Sequence, residues 1–412
     1  MKAKSAKARR PQKEPSPAGS PPALEECEKR DRLRLIRTPH VGAVTFWQLL
    51  DHFGSASAAI EALPEFARYG SRVSPRSIPK LAAVEAELQR ADDAGMSLLA
   101  PGEPGYPPLL AQIEAPPPLI YAKGDASVWD RPAVAVVGSR NASGLGLKFA
   151  GEIGADLGRR GFLIVSGLAR GVDGAAHWAA LPYGTCAVLA GGLDAIYPPE
   201  HVGLAGEIAA TGVLIGECPP GFIARSQDFP RRNRIIAGAC LGVVVVEAAE
   251  RSGSLITARF AAEQNREVFA APGHPLELRA AGSNRLIKEG AIFTTCAGDI
   301  EDALQALLKA WTRKPKEAGP PPRAKAAENA AALSLEGSSL PKNARTAAAD
   351  GFAFLGEAIA GVRRLLSLSP IDVDELCRLS GLEAKHVNAA LVSLDLSGQI
   401  ERRGGRMVAL KP

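Results

Sequence analysis

The sequence predicts an α/β protein built on a doubly wound, Rossmann-like parallel sheet. An N-terminal helical unit of SAM or helix-hairpin-helix type precedes it, and a C-terminal winged helix follows. Three observations carry this. Near-continuous apolar runs recur through residues 131–311, separated by Ala-rich segments of helix length, which is the pattern of strands covered on both faces. Before them the apolar residues fall at helical spacing. After them, three helical stretches lead into a glycine-bearing hairpin.

Residues 1–27, biased to Pro, Ser and Lys, read as a disordered basic tail. The first thirteen hold six Lys/Arg and no acid, without the apolar stretch that a secretory signal needs. Over 28–95, Leu33, Leu35 and Ile36 precede the turn Thr38-Pro39-His40-Val41-Gly42, and Phe46, Leu49, Leu50 and Phe53 follow it. Units of this kind contact DNA backbones or pack on a neighbour, and both readings stay open. Residues 96–130 read as an extended connector, with seven prolines between 96 and 125. In the 131–311 unit, strands are expected at Ala133–Val137, Phe162–Val165, Thr185–Leu189, Val213–Ile215, Val243–Val246, Glu267–Ala270 and Ala291–Phe293. Residues 312–350, rich in Pro, Ala and Lys, read as a disordered linker. In 351–412, helices near Leu355–Leu366, Asp372–Leu379 and Glu383–Ser397 precede a stretch that turns at Gly404-Gly405. The third helix sets Lys385, His386 and Asn388 against Glu383 and Asp395, little charge for reading a major groove. Arg402, Arg403 and Arg406 fall where a wing belongs. DNA contact and protein contact are equally open for this unit.

The net charge of +5 is unevenly held: residues 1–40 carry eleven Lys/Arg against five acids, and residues 312–346 carry seven against three. These two segments exceed the whole positive balance, so a polyanion site on the folded body must be a local groove. The six cysteines (Cys27, Cys186, Cys218, Cys240, Cys296, Cys377) include no Cys-x-x-Cys pair. Neither a zinc site nor a disulfide framework is indicated, and no metal or cofactor is expected. No apolar run reaches the length of a membrane span, and the expected compartment is the reducing cytoplasm.

In an open parallel sheet, ligands bind beyond the carboxyl ends of the strands, where helix N-termini point free N–H groups outward. Four such loops share a Gly/Ser/Arg character: Gly138–Ser143, Ser166–Asp173, Phe229–Arg234 and Ser252–Thr257. Glycine lets a backbone approach an anion, hydroxyls add donors, and arginine supplies fixed charge. Residues 225–236 pack four arginines (Arg225, Arg231, Arg232, Arg234) around Phe229, with Asp228 as the only acid. Guanidinium planes beside an aromatic face suit phosphates and unstacked bases; the structural alternative is a surface ion-pair cluster. Tyr197 and Phe222 are weaker stacking candidates.

Other nucleotide chemistries fit poorly. No G-x-x-x-x-G-K-[S/T] occurs. Gly144-x-Gly146 comes six residues late for a dinucleotide fingerprint, Phe149 stands at its third glycine, and Ser166 ends the second strand where an acid belongs. Ser166, Asp173 and His177 could suggest a hydrolytic set, but no G-x-S-x-G elbow is present. Asp173 falls where a helix cap belongs, and His177 beside Trp178 reads as an interior histidine.

The ordered motifs Val136-Val137-Gly138-Ser139-Arg140, Ser166-Gly167-x-Ala169-x-Gly171-x-Asp173, Gly191-Gly192-Leu193-Asp194 with Tyr197-Pro198, Phe229-Pro230-x-Arg232-Asn233-Arg234-Ile235-Ile236, Glu247 with Ser252–Ala258, Pro272-Gly273 and Gly282-x-Asn284-x-Leu286-Ile287 run over residues 106–300. Together they resemble the DNA-processing protein A (DprA/Smf) family of bacterial natural transformation. The resemblance implies a non-enzymatic, single-stranded-DNA-binding recombination mediator that protects incoming strands and loads RecA. It also implies a homodimer formed through the Rossmann-like unit. By motif position, Ser139 and Arg140, with Ser166, Gly167 and Arg170, would contact phosphate. Phe229, Arg232, Asn233 and Arg234 would form the strand-binding wall, flanked by Ser252, Gly253, Ser254 and Lys288. Arg225 and Arg231 join them on charge alone. Replacing Arg140 or Arg232 by Ala is expected to lower affinity for oligo-dT without unfolding the unit. The alternatives are a nucleotide-hydrolysing Rossmann-like enzyme, with Glu247 as its acid, and a winged-helix transcriptional regulator.

Overall fold

The computed structural model describes residues 24–66, 77–313, 355–402 and 406–411. The basic tail up to residue 23, the linker from 314, Arg403 and the Gly404-Gly405 turn lie outside the described residues.

Among the described residues four α-helices come first: α1 (Glu26–Arg37), α2 (Ala43–Phe53), α3 (Ala56–Phe66) and α4 (Leu81–Asp93). The turn after α1 sets His40 at a φ of 68°. Leu35, Phe46, Leu49, Ala59 and Leu63 bury one common face, as helical spacing predicts.

The central unit then runs β1 (Ser97–Leu99), β2 (Ile120–Gly124), β3 (Ala133–Gly138), α5 (Gly144–Arg159), β4 (Leu163–Ser166), α6 (Val172–Ala180), β5 (Thr185–Leu189), α7 (Val202–Thr211) and β6 (Val213–Gly216). It continues with α8 (Asp228–Gly238), β7 (Gly242–Val246), α9 (Ser254–Glu263), β8 (Glu267–Ala270), α10 (Ala281–Lys288), β9 (Ile292–Phe293) and α11 (Ala297–Arg313). The nine strands pair in the order β1-β2-β6-β5-β4-β3-β7-β8-β9. From β6 to β9 every pairing is parallel. The two remaining strands lie antiparallel at one edge, so the sheet is mixed.

Those two strands correct the sequence reading of 96–130 as a connector. The seven prolines all fall between 101 and 118, in the loop between β1 and β2, where proline's missing N–H leaves no gap in a ladder. The strands themselves are proline-free, and Ile120 and Tyr121 are buried.

Both faces of the sheet are covered, and β3 shows why its sequence is an unbroken apolar run. Ala133, Ala135 and Val137 belong to one core cluster, while Val134 and Val136 belong to the cluster on the opposite face. Period-two alternation therefore sends every side chain into protein.

The C-terminal unit comprises α12 (Leu355–Leu365), β10 (Ile371–Asp372), α13 (Val373–Ser380), α14 (Ala384–Leu396), β11 (Ile400–Arg402) and β12 (Met407–Leu410). Its three strands pair antiparallel in the order β10-β12-β11, the three-helix-and-hairpin plan of a winged helix.

Candidate nucleic-acid interface

The strand order reverses between β3 and β7, because β3 leads on to β4, β5 and β6 on one side, and the chain then returns to place β7 on the other. Loops from both halves meet at that switch point, the usual ligand crevice of open α/β sheets. Helix α8 arrives beside it and brings the Phe229–Arg234 stretch.

One cluster there brings two aromatic rings and a guanidinium group together. The Arg140 guanidinium stands 5.4 Å from the centroid of the Phe229 ring. Tyr197 tilts against the same ring at 5.6 Å and 58°, and Tyr197 is 50% exposed. Arg140, Arg225 and Arg231 are exposed and have no carboxylate partner among the described residues. Two aromatic faces beside unpaired guanidinium groups offer stacking and charge in one place.

Arg232 lies elsewhere. Two positions on from the proline of α8, it turns inward and is 6% exposed. Its Nη1 donates to Gly167 O at 2.7 Å and also to Val188 O. It thereby ties the loop after β4 to the end of β5. A Cβ added at Gly167 would meet this guanidinium at 2.6 Å, so glycine there makes room for the arginine and not for a phosphate. Burial pulls the Arg232 pKa down to about 10, opposed by the charge of Asp173. Burial in turn raises the Asp173 carboxyl, although Arg232 and two backbone N–H groups favour its charged form. Those N–H groups, of Gly167 and Ala169, donate to Asp173 Oδ2 at 3.1 and 3.3 Å.

Residues 97–305 match the family model described as DNA recombination-mediator protein A. The chain belongs to the DprA family. Residues 26–90 match the DprA-like N-terminal HHH domain, and 357–406 match the DprA winged helix domain. The DNA processing protein DprA of Bacillus subtilis is 39% identical over 229 residues, which span 55% of this chain and 76% of that protein. Protein Smf of Synechocystis is 38% identical over 263 residues, 61% of this chain and 66% of that protein. The X-ray structure of DprA from Streptococcus pneumoniae aligns with a TM-score of 0.58 at 33% identity, covering 66% of this chain and 96% of that one.

Within this DprA-family chain the remaining sequence-derived site residues divide. Ser166 is wholly buried and its Oγ donates to Val136 O at 2.6 Å. Its hydroxyl and the buried Gly167 hold the core together and do not line the surface. Arg234 donates to Ala115 O at 3.2 Å and pairs with Glu217, so it fastens α8 to the loops beneath. Ser166 ends a strand that is buried throughout, whereas the two arginines follow from the geometry of α8. On a helix, residues three or four positions apart share a face, so a run of cationic residues must send some inward, and buried charge survives only when bonded. Arg170 is exposed but paired with Glu200; a surface pair of this kind is weak and exchangeable. Ser139 Oγ accepts from Asn141 N at 3.1 Å. Asn233 Nδ2 donates to Gly253 O at 3.3 Å, and the Ser252 and Ser254 hydroxyls lie 2.7 Å apart. Ser254 is buried, Gly253 exposed, and Lys288 sits exposed at the end of α10.

Two groups that suggested hydrolysis are structural. Glu247, which directly follows β7, accepts from the Ser143 N–H at 2.8 Å and from the Ser143 hydroxyl. Ser143 Oγ also caps α5 by accepting from Gly146 N at 3.0 Å. The protein's own carboxylate therefore occupies the helix N-terminus where a dinucleotide fold would seat a phosphate. A Cβ at Gly146 would lie 2.6 Å from that carboxyl carbon.

His177 is wholly buried. Thr185 Oγ1 donates its only proton to Ile164 O at 2.6 Å, so it must accept from His177 Nδ1–H at 2.9 Å. Burial holds the His177 pKa from 6.5 down to about 3. The folded protein therefore keeps this ring neutral while acid protonates it in the unfolded chain. Stability is unaffected by this ring above about pH 6.5 and falls progressively from there toward pH 3. Melting temperature measured across that window is expected to fall less steeply in His177→Leu than in the parent chain, whatever the variant's absolute stability.

Proposed function

We propose that this protein binds single-stranded DNA across the switch-point crevice and acts as a recombination mediator of natural transformation, protecting incoming strands and loading RecA. The observation that carries the reading is the pair of half-buried Phe229 and exposed Tyr197 beside the unpaired Arg140 guanidinium. Stacking tolerates any base, and the rim presents no helix or ribbon shaped to a duplex groove. Arg225 and Arg231 extend the charge along the same helix entry. Family membership supports the mediator role. The internal commitments of Glu247, Asp173 and His177 support a binding protein over a nucleotide hydrolase.

A competition of oligo-dT against duplex of equal length tests the reading: oligo-dT is expected to win clearly, and equal competition would sink it. Three unpaired guanidinium groups predict that log K falls with log salt at a slope of about −2, from roughly 0.7 per neutralised phosphate. A near-zero slope in the same titration would remove the phosphate contacts. Acceleration of RecA assembly on oligo-dT by the bound protein tests the loading role.

We also propose self-association through the central unit. Leu276, Leu278 and Phe293 are 85%, 81% and 56% exposed. Residue 293 pairs with Ala270, directly ahead of the loop that carries the two leucines, so one sheet edge gathers the apolar surface an interface uses. Sedimentation of the full chain reads this directly.

A further inference from the structure

The third helix of the winged-helix unit, α14, is apolar on two sides. On one side Val387, Ala390, Leu391 and Leu394 close the unit's own core. On the other, Val392 and Leu396 enter the core of the N-terminal helical unit with Phe46 and Leu49, and Ala389 packs at its margin. A helix that is apolar on two faces belongs between packed bodies, whereas a helix that reads a major groove presents polar and cationic side chains to bases and phosphates.

Polar contacts seal the same face. Thr45 Oγ1, on α2, donates to Asp395 Oδ2 at 2.6 Å. Arg402 Nη2, at the foot of the wing, donates to Gln48 Oε1 at 2.8 Å. Arg402 also stands 3.6 Å from Asp395, the two side chains being only 15% and 23% exposed. The one described wing arginine on β11 is thereby committed to an amide and a carboxylate. Lys385, at the start of α14, pairs with Glu383 at 2.7 Å.

We infer that in this chain the winged helix is a docking module whose partner is the chain's own N-terminal helical unit, and that α14 does not read duplex DNA. The two terminal units, separated by nearly the whole sequence, pack on one another through α2 and α14. Duplex affinity is thus withheld from α14, while the crevice on the central sheet stays open. Residues 314–354 supply enough chain to reach either the chain's own helical unit or that of a second copy, and the test separates the two.

The test uses the full chain with Val392→Asp on α14 and, separately, Thr45→Arg on α2. Val392 lies outside the winged helix's own core, and Thr45 sits on the opposite unit, so either variant reports if the other misfolds. Amide exchange in both α2 and α14 is expected to quicken at least about tenfold in each variant, and protection in the parent chain is expected to be independent of protein concentration. Protection that disappears on dilution overturns the inference in favour of docking onto a second copy. Unchanged exchange in both variants overturns it as well. A third outcome also does so: duplex binding by the full chain that falls about tenfold, or roughly 1.4 kcal/mol, in Lys385→Ala/Asn388→Ala.

Discussion

Phe229→Ala lowers affinity for oligo-dT by about 5- to 150-fold, the equivalent of roughly 1–3 kcal/mol for one lost base stack. Affinity measured by fluorescence anisotropy at fixed moderate salt gives the number. The ring is half-buried, with Tyr197 on one side and the Arg140 guanidinium on another, so removing it also lets Arg140 wander from a preset position. Phe229→Leu separates the two effects. Leucine keeps much of the apolar volume and the packing of α8 but has no flat face, so its affinity should fall nearly as far as that of Ala while its melting temperature stays close to the parent. Arg140→Ala should fall with Phe229→Ala and reduce the salt slope by about 0.7. Full affinity in Phe229→Leu would move the base contact away from this cluster.

Arg232→Ala behaves differently, although it stands three residues away in the same motif. Its guanidinium bonds one carbonyl in the loop after β4 and one in β5, and its charge compensates the buried Asp173. Deleting it takes a donor from those two acceptors and leaves the buried Asp173, still held by two backbone N–H groups, without its compensating cation, at a cost of about 3–5 kcal/mol. The central unit should then melt roughly 6–20 °C lower. Arg232→Lys should rescue little, because one ammonium cannot reproduce a planar fork aimed at two carbonyls. Loss of oligo-dT binding in Arg232→Ala with an unchanged melting curve would return this residue to the strand-binding wall, where its motif position first placed it.

The contrast between these two residues shows how far the letters could be read. All seven apolar runs of the 131–311 segment became strands, because an unbroken Val/Ile/Ala run flanked by helix-length Ala-rich segments has one stable arrangement, a parallel sheet covered on both sides. The winged helix was legible for a similar reason, since its helix spacing and hairpin are local. The edge strands β1 and β2 were hidden by their surroundings: the proline count of the whole stretch masked two short segments that contain none. The candidate cluster was half legible. Clustered arginines around a phenylalanine mark the helix that carries the cluster, whereas Tyr197 is only a weaker candidate in the sequence, because thirty-two positions separate it from Phe229 and nothing local joins them.

Local chemistry was enough to decide the class of protein, the order of its units, the glycine- and arginine-bearing loops at one sheet edge, and the family they belong to. Folding alone decided which of those arginines face solvent. Arg232 was drawn inward by carbonyls from distant elements, Arg234 was tied to Ala115 and Glu217, Glu247 closed the helix end that a phosphate could have taken, and the winged helix packed its third helix onto the N-terminal helical unit. A charge's role depends on which partners reach it once water is excluded. Those partners come from remote parts of the chain, so no window of sequence contains them.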